Sequence, residues 1–461
     1  MLTEPEVVAV TSVFIFMASP IEEAEEEGGV GFTTDFSLAT GIPAAAIAGN
    51  ILKKALLARP TKKKPRSSLY RLSEIPGTHS PCRPSIERYY PAATASTVES
   101  KESTTNFLTN SLAGDSRKQH SGVPRKPAYP ISESLRHYLK SFNREQRLPV
   151  TYKELEQFQA SAPLYDDNDE DTLWQTVIYD QVMIAKLSEG LKHIYAIIKS
   201  GGDLSSIGHL YVDRIDYCVF GNSKPFRIRI VNSRNDNQDY FYIKKGDASR
   251  IYGLELEHLL SPNRMHFIVD GNTLIEEHIV GLPGDMFIDD WMEYKPLKAI
   301  RIAKELIKFN ERCFVRLLGD MRPYNFIVDI TPDFEGTQIR IRAMDFDQQS
   351  YDGRKNFYLP QFFKENNALV AFCTSHIDPN TAHQYQSEVH HSVARRMKMI
   401  KLRIKALLEA MSRDRLSPKE NVLQLREELS DHYQDKSFLK CDSMGSLVRQ
   451  SLQRIYESKR T

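Results

Sequence analysis

Cysteine is scarce, and net charge is all but nil. Five cysteines (82, 218, 313, 373 and 441) are scattered over 461 residues without a C-x-x-C spacing. An odd, dispersed set argues against a disulfide framework or a zinc ribbon and makes a reducing compartment the easier reading. Sixty-one Lys and Arg stand against 60 Asp and Glu, leaving +1, so whole-chain electrostatics give no reason to expect wrapped nucleic acid. Long apolar runs are missing as well. The best, Val7–Ala18, has 12 residues, against the ~20 a helix needs to cross a bilayer. It follows Glu4 and Glu6 rather than a basic segment, which makes it a poor secretory signal. A soluble, cytoplasmic protein is expected. The apolar fraction, 41%, falls below the ~45–50% of a compact domain, so part of the length is expected to stay unfolded.

That part is the beginning. Glu22–Glu27 holds five glutamates in six residues, and Lys53–Arg66 carries seven basic residues and no acid. From Ser67 to Pro130 the chain is rich in Ser, Thr, Pro and Arg without lasting periodicity. Such a segment cannot bury enough apolar surface to offset its ordering entropy. Residues 1–130 therefore read as a mostly disordered tail, with one short helix around 44–57.

Order begins near Ile131. A helical extension, 131–204, opens with a helix at Ser132–Phe142 and a second capped by Thr151. The acidic patch Asp166–Asp171 lacks the glycine and glutamate of a calcium loop. It reads instead as the negative flank of a long helix repeating apolar residues at Leu173, Val177, Ile184, Leu187, Leu191, Ile194 and Ile198. Gly201-Gly202 ends it. Three antiparallel strands follow (Tyr211–Phe220, Phe226–Val231, Asp239–Lys245), then a helix, Ala248–Leu260, then a hairpin turning at Gly271-Asn272. Five strands with one helix after the third make a small α+β lobe over 205–282. Helices and two short strands, Asn325–Ile330 and Gln338–Ala343, fill 283–385, and 386–461 reads as helix throughout. Ser417-Pro418-Lys419-Glu420 has the form of a capped helix start.

The chemistry concentrates in Leu318-Gly319-Asp320-Met321-Arg322-Pro323-Tyr324-Asn325 and in Asp345-Phe346-Asp347. If the two intervening strands pair as a hairpin, they bring two carboxylates and an amide oxygen to one mouth. Those are hard oxygen ligands of the kind magnesium prefers.

Gly319-Asp320-x-x-x-x-Asn325 with Asp345-Phe346-Asp347 resembles the catalytic segment of the aminoglycoside phosphotransferase and choline kinase-like families, relatives of protein kinases. Upstream, Phe241-Tyr242-Ile243-Lys244 resembles their third strand, Glu255 stands where they put the lysine's acidic partner, and Glu276-Glu277-His278-Ile279-Val280-Gly281 resembles their hinge. The resemblance spans about 205–385. It implies a bilobal kinase-like fold, with a small antiparallel β-sheet lobe, a mainly helical lobe, flanking helices and a disordered tail. It also implies ATP-dependent, Mg2+-assisted phosphoryl transfer to a hydroxyl of a small molecule, sugar or protein. Carried over, Asp320 is the catalytic aspartate, and Asn325 and Asp345 hold metal. Asp347 either holds a second metal or caps a turn. Lys244, Glu255, Glu277 and His278 serve the nucleotide.

Some alternatives stay open. A register slip of one residue would substitute Lys245 for Lys244, and Glu257 competes with Glu255. Leu318 replaces the family's usual histidine, and no G-x-G-x-x-G lies between the first strands. The rival reading is a catalytically inactive scaffold; a third is a delivered bacterial effector. His390-His391 point about 100° apart on a helix and make a poor joint metal site.

Overall fold

The computed structural model describes residues 126–458 apart from 167, 168, 170, 220, 293, 295, 296 and 335. The readings of 1–125 and its short helix lie outside the described residues. Residues 126–130, assigned by sequence to the tail, are docked. The Tyr129 amide donates to Asp247 Oδ2 at 2.7 Å and Lys126 Nζ to Oδ1 at 3.0 Å.

Alternation of side chains builds the larger sheet. Its strands are β1 (Ala160–Tyr165), β2 (Asp171–Ile178), β3 (Leu210–Cys218), β4 (Phe226–Asn232), β5 (Gln238–Lys245), β6 (Phe267–Asp270) and β7 (Thr273–Glu277). All neighbours are antiparallel, in the order β1-β2-β3-β4-β5-β7-β6. Phe226, Ile228, Ile230, Phe241 and Ile243 point to one face and form a core with Leu187, Leu191, Ile194 and Ile198. Pairing of Arg227 and Glu276 with Tyr242, and of Arg229 with Tyr240, gives the other face a charged and aromatic surface.

The first hairpin corrects the reading of 166–178. Leu173 to Ile178 is strand, not helix, and of the acidic patch Asp171 opens β2. Apolar residues at 173 and 177 satisfy a helical and an extended period alike. The aromatic and β-branched run Trp174, Thr176, Val177 and Ile178 favours the strand. Helix α2 starts only at Gln181, where Asp180 accepts a hydrogen bond from the Met183 amide. It ends at Gly201, whose φ of 61° is left-handed.

Helix α1 (Glu133–Ser141) and helix α3 (Ala248–Leu260) join a second core with α4 (Ala299–Arg316), α5 (Asn367–Thr374), α6 (Pro379–Met399), α7 (Lys401–Arg413), α8 (Lys419–Tyr433) and α9 (Met444–Ser458). The basic segment 395–405 breaks at Ile400, which closes α6 and opens α7. Ser417 does not cap α8; its hydroxyl donates to the Tyr351 carbonyl at 2.5 Å. A smaller sheet, β10-β9-β8, contains β8 (Leu282–Pro283), β9 (Phe326–Asp333) and β10 (Gly336–Ala343). Phe326 pairs with Ala343 at its mouth and Asp333 with Gly336 at its closed end. No helix among the described residues is long and apolar enough to cross a membrane.

Candidate functional site

The site is built where β5 and β7, inner strands of the large sheet, meet the start of α3 and the mouth of the β9–β10 hairpin. Asp247 caps α3, accepting from the Arg250 amide at 3.2 Å. That cap fixes the first turn and turns the Arg250 side chain inward. Its guanidinium touches three carboxylates: Asp347 through Nε at 2.7 Å, Glu276 through Nη1 at 3.1 Å and Asp345 through Nη2 at 2.5 Å. Lys244 Nζ reaches Glu276 Oε2 at 2.7 Å. Two cations thus share three anions in a largely buried cluster.

Burial opposes every charge here, and the ion pairs decide the sign. Burial raises the Glu276 carboxyl, but Arg250 and Lys244 outweigh it and hold it below the usual range. Burial and then Arg250 act in the same opposed way on Asp347, which also ends below its ordinary value. Asp345 goes the other way. Burial and the neighbouring Asp347 carboxylate push it up despite Arg250. Arg250 itself loses to burial and regains more from Asp347, Glu276 and Asp345, so it stays protonated.

Asp320 and Asn325 approach this cluster from below. Asp320 adopts a left-handed φ of 60°, so the loop after α4 turns sharply at the carboxylate. Arg322 Nε donates to its Oδ1 at 2.9 Å. Burial raises the Asp320 carboxyl, partly countered by Arg322. Asn325 donates through Nδ2 to the Asp320 carbonyl at 2.7 Å. Its own carbonyl accepts from the Met344 and Asp345 amides at 3.0 and 3.4 Å. The backbone of Asn325 therefore ties the two ends of the hairpin together.

The sequence expectations meet this geometry unevenly. Lys244, Asp345 and Asp347 share the cluster, and Asp320 stands beside Asn325. Lys245 lies on the opposite face of β5, with Nζ 2.8 Å from Glu156, so the slipped register does not occur. Glu255 is not the partner of Lys244. On a helix, five residues rotate a side chain by about 140° from Arg250, and Glu255 points away, to Tyr138, Arg144 and Arg403 at 2.6, 3.1 and 2.6 Å. Glu257 pairs with Arg316. Glu277 also points away from the cluster. It is on the Phe241 side of the sheet and accepts from the His266 amide at 2.9 Å. His278 joins the aromatic face, its Nδ1 3.2 Å from the Tyr242 hydroxyl; burial lowers its pKa to about 4. His390 bonds Glu311, while His391 Nδ1 lies 2.8 Å from the Ser387 carbonyl.

Sequence reasoning missed Arg250 and Glu276. Glu276 was findable: it faces Tyr242 across the strands and so shares the Lys244 side. Arg250 gave no signal, because a lone arginine on a helix is usually solvated.

The site offers magnesium a small set of oxygen donors. Among the described residues no three His, Cys, Asp or Glu side chains converge as a metal cluster. Magnesium, however, is commonly held by one or two carboxylates together with substrate phosphates and water. Asp345, its side chain 32% exposed, and the Asn325 amide oxygen, whose nitrogen is spent on Asp320, fit that role. Arg250 engages both carboxylates, but Asp347, only 12% exposed, is the more enclosed and does not fit a second ion while that pair stands. No protein-family model matches the chain, and no curated protein matches it significantly.

Proposed function

We propose that the protein is a bilobal, kinase-like phosphotransferase that moves the γ-phosphoryl group of ATP to a hydroxyl. The observation that carries the reading is the convergence of Lys244, Asp345 and the Asp320–Asn325 pair at one mouth. The element order supports it too: three antiparallel strands, a helix, a hairpin, then a helical segment leading to the β9–β10 hairpin.

Phosphoryl transfer depends chiefly on positioning and charge stabilisation. Lys244 and Arg250 supply cationic donors for phosphate oxygens once their bonds to Glu276 and Asp345 are shared. Asp345 and the Asn325 amide would hold Mg2+, which when bound offsets phosphate charge. Asp320, its carboxyl pushed up by burial, orients the acceptor hydroxyl and takes its proton. One observation favours the rival, non-catalytic scaffold: Arg250 already binds both Asp345 and Asp347.

Two substitutions test the proposal. Asp345→Asn should weaken Mg2+-dependent ATP binding, because an amide is a poorer ligand for a hard dication. Asp320→Asn should leave that binding nearly intact and lower turnover by on the order of 10²-fold or more. Nucleotide affinity with and without Mg2+, beside phosphate release, measures both. A wild-type protein that neither binds nor hydrolyses ATP under any metal condition leaves the scaffold reading standing.

A further inference from the structure

A second feature lies at the other end of the β9–β10 hairpin and is independent of the phosphotransferase reading. A groove of about 540 Å³ runs between α4 and the closed end of the hairpin, a volume typical of a small-molecule site. It begins three residue pairs from the hairpin mouth, at Arg340, roughly 10 Å along the strand. Arg301, Lys304, Lys308 and Arg312 line it from α4, and Arg340 lines it from β10. Spacings of three and four residues put the α4 cations in one row on one face of the helix, about 16 Å long. Glu305 and Asp333 are the acids among the described lining residues.

Most of these cations meet neutral partners. Arg301 donates to the Thr337 carbonyl at 2.6 Å, Arg312 to the Ile341 carbonyl at 2.9 Å, and Arg340 to Gln338 Oε1 at 2.9 Å. Lys304 stands over the Tyr385 ring at 5.3 Å. Lys308 has a carboxylate, Glu388, at 2.6 Å. Burial pulls the Arg312 pKa down, countered by Glu305 and Glu257. A row of cations held together by carbonyls and rings repels itself, and an anion laid along it relieves that repulsion. Guanidinium groups mixed with ammonium groups suit phosphate oxygens. The length of the row calls for more than one phosphate.

We propose that this groove binds a small anion carrying at least two phosphate groups. Inorganic tripolyphosphate is the probe, titrated calorimetrically into the full chain without divalent metal. Lys304→Glu combined with Arg340→Glu should weaken binding at least tenfold. Lys304→Arg with Arg340→Lys keeps the charges and should stay within about threefold of wild type. Both positions are solvent-accessible, so the melting temperature should hold, and a thermal melt checks it. Lys244→Met should bind the probe like wild type, which separates the groove from the Lys244 cluster. Binding that is absent in wild type, that survives the charge reversal, or that is lost in Lys244→Met overturns the proposal.

Discussion

Arg250 keeps three carboxylates together that would otherwise repel one another. A buried cation in that position has two consequences of opposite sign. It stabilises the folded chain, and it competes with any ion that would use the same carboxylates. Arg250→Met would leave Glu276, Asp345 and Asp347 uncompensated except for Lys244. Breaking a buried network by removing one partner costs about 3–5 kcal/mol. We therefore expect the variant to unfold at markedly lower denaturant concentration than wild type. Millimolar Mg2+ should recover more stability in the variant than in wild type, because only the variant offers Asp347 as a ligand. Equal effects of Mg2+ on the two proteins would sink this account of Arg250. At this scale the sequence was half legible. Lys244, Asp320, Asn325 and Asp345 come from loops and strands whose order in the chain announces them. The choice between Glu255 and Glu257 missed because helix rotation turns both away from Lys244, and its partner Glu276 was legible only through the strand pairing.

Elements with one clear period were legible at their boundaries. Helix α3 spans Ala248–Leu260 as its flanks suggest, and β4 and β5 follow from aromatic and β-branched residues set between turn formers. Residues 173–178 were not legible, because two periods fitted the same apolar positions, and the neighbouring strands β1 and β3 settled the matter. The end of α2 was plain, since a left-handed cap favours glycine. Nothing lies within 4 Å of a Cβ built on Gly201, so the cost of a side chain there is conformational alone. Gly201→Ala should accordingly destabilise by about 1 kcal/mol, the penalty of a left-handed residue with a Cβ. Equilibrium urea unfolding would measure it, and a stability equal to or above wild type would refute the cap.

For the whole molecule, acid sensitivity follows from three partly buried imidazoles. Burial lowers His258 and His278 to about 4 and His432 to about 3. An unfolded histidine titrates near 6.5, so between these values the unfolded chain binds protons that the folded chain refuses. Stability must then fall as pH drops from about 6.5 towards 4, each such group steepening the slope by at most ~1.4 kcal/mol per pH unit. Denaturant midpoints at pH 7.5 and pH 5 test this; a midpoint that is flat or rises on acidification contradicts it. His432→Gln should flatten the profile, provided the fold is kept.

The contacts of Glu255 also set an order of events during synthesis. Its carboxylate is fully buried and needs Tyr138, Arg144 and Arg403. The first two leave the ribosome before it, but Arg403 follows 148 residues later. Asp414, which accepts from Ser132 and Tyr252, is later still. A nascent chain that has finished the sheet therefore still carries a buried acid with only one of its two counter-ions, Arg144, in place. The sheet end of the protein has to wait, partly open, for α7 to emerge, and chaperone engagement during translation should be densest over that interval.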